Sequence, residues 1–219
     1  MQQNLDLKLI AFDFDGVIVD SLEQNIKITN EVCGKFGAEV QVTKDFLQSV
    51  EYMSFDNIAE KIRLPYKYFK PALDEINHKL VESYNMLTPF EGIFETLSNL
   101  YKLNIELVIN THNTIKAVEP FLRKFNMLYF FSEILAAETP GDKAEKMFTV
   151  LDNSQICSCS AMLIGDSSGD IKDALSAGVI PAGVSWGFQN PEKLEKTGAT
   201  IIFNNPEEIF EYINLAIIK

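Results

Sequence analysis

Asp13 and Asp15, separated by one aromatic residue, close the short apolar run Leu9-Ile10-Ala11-Phe12 and are followed at once by Gly16. Carboxylates that end a buried strand are costly unless they are solvated, paired or bound to a cation. A glycine in such a turn lets backbone N–H groups come close to a ligand. Taken alone, an Asp-x-Asp turn reads as a solvated strand end. A second acidic stretch, Gly165-Asp166-Ser167-Ser168-Gly169-Asp170, closes another apolar run, Ala161-Met162-Leu163-Ile164. Thr111 and His112 follow the strand-like Ile105–Ile109, and Lys143 opens a helix-like stretch after a turn carrying Pro140 and Gly141. Carboxylates can hold a hard cation, while a hydroxyl and a lysine can hold an anion.

The elements that must position these groups follow from the apolar spacing. Leu22, Ile26, Thr29, Cys33 and Phe36 recur at three and four, which predicts a helix ended near Gly37. Two short helices are expected over residues 43–47 and 55–62, and a longer one beyond Pro65, striped by Leu73, Ile76, Leu80 and Tyr84. No strand is expected between Ser21 and Met86. Residues 21–86 therefore read as a helical cap domain inserted into a core made of residues 1–20 and 87–219. From Pro89 onward helix and strand alternate. Helices are expected on Ile93, Leu97 and Leu100, over 115–125, from Lys143, over 171–177 and from Pro206; strands over 105–109, 134–137, 161–164, 179–184 and 199–203. That alternation implies an α/β fold with a doubly wound, mainly parallel, Rossmann-like sheet. Open sheets of this kind place their chemistry beyond the carboxyl ends of the strands.

A chain of 219 residues with 47% hydrophobic and 23% charged content is ordinary for a globular protein able to bury a sizeable core. Its formal net charge of −12 argues against a nucleic-acid backbone or an anionic membrane as partner. An anionic substrate would need a local cation, either a divalent metal or a placed lysine. The N-terminal residues lack the basic-then-apolar pattern of a signal peptide, and no apolar stretch is long enough to span a bilayer. The cysteines Cys33, Cys157 and Cys159 form no disulfide framework or zinc-site spacing. A cytoplasmic protein with reduced thiols is expected, as a monomer or homodimer.

Asp13-Phe14-Asp15-Gly16-Val17-Ile18-Val19-Asp20-Ser21 resembles the first motif of the haloacid dehalogenase superfamily in its phosphatase branch. Thr111, Lys143 and Gly165-Asp166 to Asp170 stand in the order of the remaining motifs, and residues 177–188 resemble the tail of phosphoglycolate-phosphatase-like members. The resemblance implies Mg²⁺ held by Asp13, Asp15 and Asp166, with Asp170 in support. It makes Asp13 the nucleophile that forms an aspartyl-phosphate, and Asp15 the acid and then the base. Thr111 and Lys143 would bind and stabilise the phosphoryl group, with Gly16 and His112 beside it. The implied substrate is a small phosphorylated metabolite. There are departures: His112 stands where relatives usually have Asn, and Ala144 rather than Pro follows Lys143. The loop Gln48–Phe55, where relatives often carry glycine, has none. Dehalogenases of the superfamily do not need Asp15. A phosphoglucomutase-like phosphotransferase would keep it, and a silent binding protein would usually have lost an acid or the lysine. In the cap, Lys44, Lys61, Arg63, Lys67 and Lys70 are candidates to face an anionic substrate, with Tyr52 as an alternative selector.

Overall fold

The computed structural model describes residues 6–51 and 53–217. Its sheet is built around β1 (Leu9–Phe12), which lies between β2 (Glu106–Asn110) and β4 (Ala161–Gly165). Outside these lie β3 (Glu133–Leu135) beside β2, then β5 (Ile180–Val184) and β6 (Ile201–Phe203) beyond β4. Every pairing is parallel, in the order β3-β2-β1-β4-β5-β6. Leu9 and Ala11 face one apolar layer with Val108, Met147 and Leu163, whereas Ile10 and Phe12 face another with Leu97, Phe121 and Ile209. A strand covered on both sides requires an unbroken apolar run, and residues 9–12 supply it. The first layer carries α7 (Lys143–Ser154) and α8 (Ser168–Ala177). The second carries α5 (Ile93–Lys102), α6 (Ile115–Lys124) and α10 (Pro206–Ile217). Since the winding reverses at β1, the carboxyl ends of β1, β2 and β4 open into a crevice.

Between Ser21 and Leu87 the described residues form helices and no strand: α1 (Leu22–Lys35), α2 (Lys44–Ser49), α3 (Phe55–Lys61) and α4 (Phe69–Ser83). They surround an apolar cluster of their own, including Val32, Leu47, Ala59, Ile62 and Ala72. The chain leaves and re-enters the sheet region side by side. Asp20 N donates to Thr88 O at 3.1 Å, and Phe90 N to Ile18 O at 3.0 Å. A second contact docks this helical insertion on the sheet domain. Ser168 Oγ donates to Glu51 O (2.7 Å), Gln189 Nε2 to Val50 O (2.8 Å), and Lys193 Nζ to Gln48 O (3.0 Å).

Several elements differ from the periodicity, three of them for reasons the structure shows. Helix α8 begins at Ser168, not Ile171, because Ser167 and Asp170 close a reciprocal capping box. Helix α9 (Pro191–Thr197) has too little apolar spacing to be predicted. It starts on an Asn190 cap with Pro191 in its first turn. Strand β3 spans Glu133–Leu135 and stops short of Ala137. The backbone beyond it is taken by other groups, with Ala136 O accepting from Lys146 Nζ and Ala137 N donating to Asn113 O.

Candidate active site

β-Pairing continues one residue past β1, with Asp13 N donating to Ile164 O at 2.9 Å. Phe14 then inserts into the core, fully buried and edge-on to Phe121 at 5.3 Å between centroids. Burial of an aromatic ring on this scale is worth roughly 1.5–3 kcal/mol, enough to pin the turn between the two acids. Gly16 closes the turn at φ +75°. A side chain there would meet Asp166, since a Cβ would lie 1.9 Å from Asp166 Oδ2. Gly187 presses on Asp166 from another direction, and Phe188 N donates to Asp166 Oδ2 at 2.8 Å. The acid at the end of β4 is thus admitted by two glycines.

Asp142 caps α7 in a reciprocal box with Glu145, which fixes the first turn carrying Lys143. The Lys143 ammonium is buried and lies 2.9 Å from Asp13 Oδ2 and 2.6 Å from Asp170 Oδ1. Asp170 Oδ2 accepts from Ser167 N and Oγ. Asn110, at the end of β2, donates to Lys143 O at 2.9 Å. Burial works against the charge on Lys143, but the two carboxylates more than offset it, so its pKa is raised and it stays an ammonium. Burial raises Asp13 to about 7, Lys143 opposing the rise and Asp170 adding to it. Asp166 is raised well above the usual carboxylate range by burial and by the charges of Asp170 and Asp13. For Asp170 burial is outweighed by Lys143 and Ser167, and its pKa is lowered.

Thr111 is buried at the end of β2 and its Oγ1 accepts from Asn113 N at 3.1 Å. His112 is exposed beside it; crowding by neighbouring atoms and the Lys143 charge lower its pKa to about 4. The Asp15 carboxylate has other partners than Lys143. It accepts from Ser21 Oγ (2.6 Å), Tyr84 OH (2.5 Å) and Asn113 Nδ2 (2.8 Å), and Asn113 Nδ2 also reaches the Tyr84 oxygen. Ser21 and Tyr84 stand at the two junctions of the helical insertion. A second buried lysine, Lys146, donates to Ala136 O (2.6 Å) and Thr111 O (3.3 Å), tying the loop after β2 to α7.

These groups converge on a cavity of about 240 Å³. Asp13, Asp15, Thr111, His112, Lys143, Asp166 and Asp170 all line it, together with Asn113, Phe188 and, from the insertion, Asn25 and Met53. Gly16 is not among its lining residues and acts by admitting Asp166. None of Lys44, Lys61, Arg63, Lys67 and Lys70 lines it. Lys61 donates to Ser49 O, Arg63 pairs with Glu39, Lys70 pairs with Asp74, and Lys67 sits over the Tyr68 ring. Tyr52 lies outside the described residues.

Asp13, Asp166 and Asp170 each present a carboxylate oxygen, all within 4.8 Å of one another. Three buried acids with raised or opposed charges and hard oxygen donors fit a divalent cation. Asp170 is held by Lys143 and Ser167, Asp13 shares Lys143 with it, and Asp166 accepts one backbone bond from Phe188 N. The Asp15 side chain is absent from this acidic group. Three donors hold it on the side of Tyr84.

A family model described as haloacid dehalogenase-like hydrolase matches residues 10–184. The chain belongs to that family, and the sheet and acidic site are those of a hydrolase within it. Phosphoglycolate phosphatases are similar along nearly the whole chain. The one from Synechococcus elongatus is 23% identical over 207 residues, covering 94% of this chain and 97% of its own. That from Aliivibrio fischeri is 24% identical, covering 96% and 98%. Among solved structures, a predicted phosphatase from Clostridium acetobutylicum has a TM-score of 0.83 at 23% identity, covering 95% of this chain and 99% of that one. CbbY from Rhodobacter sphaeroides, solved in complex with phosphate, has 0.75 at 17%, covering 93% and 96%.

Proposed function

We propose that this hydrolase is a Mg²⁺-dependent phosphatase that cleaves a small phosphorylated metabolite through an aspartyl-phosphate on Asp13. The observation that carries the reading is the buried Asp13 carboxylate, ion-paired to Lys143 at 2.9 Å and sharing its acidic cluster with Asp166. Asp13 and Asp166 would hold the cation, which when bound supplies positive charge to offset that of the phosphate ester. Lys143 and the Thr111 hydroxyl bind phosphoryl oxygens. Asp13 attacks phosphorus in line while the bond to the ester oxygen breaks. Asp15, carrying a proton, gives it to the departing alkoxide. As a carboxylate it then takes a proton from the water that attacks the phosphoaspartate, releasing phosphate and restoring Asp13. Asp170 orients Lys143. Residues 21–86 act as a cap that excludes water from the crevice. The similarity to phosphoglycolate phosphatases makes 2-phosphoglycolate the first ester to try. A cytoplasmic location is part of this proposal; among the described residues no helix is long and apolar enough to cross a membrane.

Phosphate release from p-nitrophenyl phosphate and alkyl phosphates tests the reading. Asp13→Asn should fold and lose on the order of 10³-fold or more in turnover. Excess chelator should silence the wild type. Near-wild-type turnover in Asp13→Asn, or full activity in chelator, would refute the mechanism.

A further inference from the structure

The cavity lining also bears on what is attached to the phosphate. Four carboxylates line it (Asp13, Asp15, Asp166 and Asp170) against one ammonium, Lys143, already bonded to two of them. The other walls are Asn25 and Met53 from the insertion and His112, Asn113 and Phe188 from the sheet domain, together with the loop after β4. None of these carries a fixed positive charge, and the insertion's cations Lys61, Arg63 and Lys70 are engaged elsewhere. The wall is not a gaping one. Ser168, Gln189 and Lys193 grip the backbone of the 48–51 loop, so Met53 is seen with the insertion docked.

From this lining we infer that the substrate is the phosphate ester of a small uncharged alcohol, bearing hydroxyl groups and no carboxylate. The inference rests on the phosphatase reading and sharpens it. A carboxylate next to the phosphate would enter an acid-rich space whose lining, among the described residues, carries no Lys or Arg besides Lys143. Like charges brought together away from water repel strongly. Asn25 commits one amide N–H to Ser21 O at 3.0 Å, and its other N–H and its amide oxygen remain as donor and acceptor. A substrate hydroxyl can both donate to that oxygen and accept from that N–H, whereas a carboxylate can only accept. Met53 and Phe188 offer apolar surface to a short carbon chain. A space of about 240 Å³ is smaller than the pockets that take drug-sized molecules, which limits the alcohol to a few carbons. On this basis the chain departs from the relatives named for phosphoglycolate, whose leaving group carries a carboxylate.

Two matched pairs of esters test the inference with purified full-length protein and Mg²⁺. The first is 2-hydroxyethyl phosphate against 2-phosphoglycolate, and the second is glycerol 3-phosphate against 3-phosphoglycerate. Each pair exchanges one terminal CH₂OH for a carboxylate and little else. The neutral member of at least one pair should have a kcat/KM about tenfold or more above its acidic partner. Met53→Lys, which places a cation on the wall, should move that ratio towards the acidic member. If the variant fails to fold, the wild-type ratio still decides. Equal rates, preference for the acidic members, or release from p-nitrophenyl phosphate with neither neutral ester turned over would overturn the inference and leave the phosphatase reading standing. No release from any ester would remove that reading too.

Discussion

Gly16→Ala is a one-carbon change whose consequence can be worked from the geometry. The new Cβ would lie 1.9 Å from Asp166 Oδ2 and 2.8 Å from a Phe188 ring carbon. The carboxylate has little room to retreat, because Gly187 backs its Cβ and Phe188 N is bonded to the same oxygen at 2.8 Å. Restoring an ordinary contact requires the oxygen to move by about 1.5 Å, and a displacement of that order in a catalytic group costs ~10²-fold in rate. The backbone adds a smaller penalty. A φ of +75° suits glycine, and alanine held there costs roughly 1–2 kcal/mol. In a chain of this size that corresponds to a fall in Tm of about 2–8 °C. The variant should therefore melt a few degrees early and lose about 10²-fold or more in kcat/KM, with the Mg²⁺ concentration for half-activity rising. Phosphate release titrated against Mg²⁺, with calorimetric melts alongside, measures all three. Activity within about threefold of wild type at an unchanged Mg²⁺ requirement would show that the glycine does not serve to admit Asp166.

Tyr84→Phe removes the phenol that donates to Asp15 and keeps the ring against Phe14. Turnover of alkyl phosphates, whose leaving group needs a proton, should fall about tenfold, while p-nitrophenyl phosphate, which leaves unaided, stays nearly unchanged. An equal loss on both esters would remove Tyr84 from the acid's support. The pH dependence of metal stabilisation gives another test. Asp13 is raised to about 7 by burial, against an ordinary value of 3.8. The folded protein thus holds a proton that the unfolded chain has lost between about 4 and 7. That contribution to stability is full at low pH and disappears as pH rises through about 7. Mg²⁺ competes with the same proton. The rise in Tm on adding Mg²⁺ should therefore grow from pH 5.5 to pH 8, and a rise that is flat across this range would refute the competition.

What the sequence discloses and what it hides divide along chain separation. The strand ends carrying Asp13 and Asp166 are legible because an apolar run and the acid that stops it are neighbours in the chain. Lys143 becomes legible through its order relative to those acids, and the capping box of Asp142 and Glu145 is a local signal that could have strengthened it. Helix α9 had a local signal too, Asn190-Pro191, hidden by its short apolar stripe. Tyr84 and Asn113 meet Asp15 across 69 and 98 positions, and no spacing rule reaches that far. Lys146 has the pattern of a solvated helix residue, yet its ammonium is buried because two carbonyls, Ala136 and Thr111, take its hydrogen bonds. The cations of the insertion mislead for a related reason. Net charge shows that an acidic chain needs positive charge where an anion binds, but charge balance carries no address. Lys35, Arg63, Lys70 and Lys79 find acids within the insertion itself. Among the described residues Lys143 is the only ammonium that lines the cavity, and any further positive charge would come from a cation held by Asp13 and Asp166. Local chemistry therefore marks the acids and the lysine of the cavity, while the contacts around Asp15 and the uncharged wall around Met53, to which the proposals assign proton transfer and substrate choice, emerge only when distant segments meet.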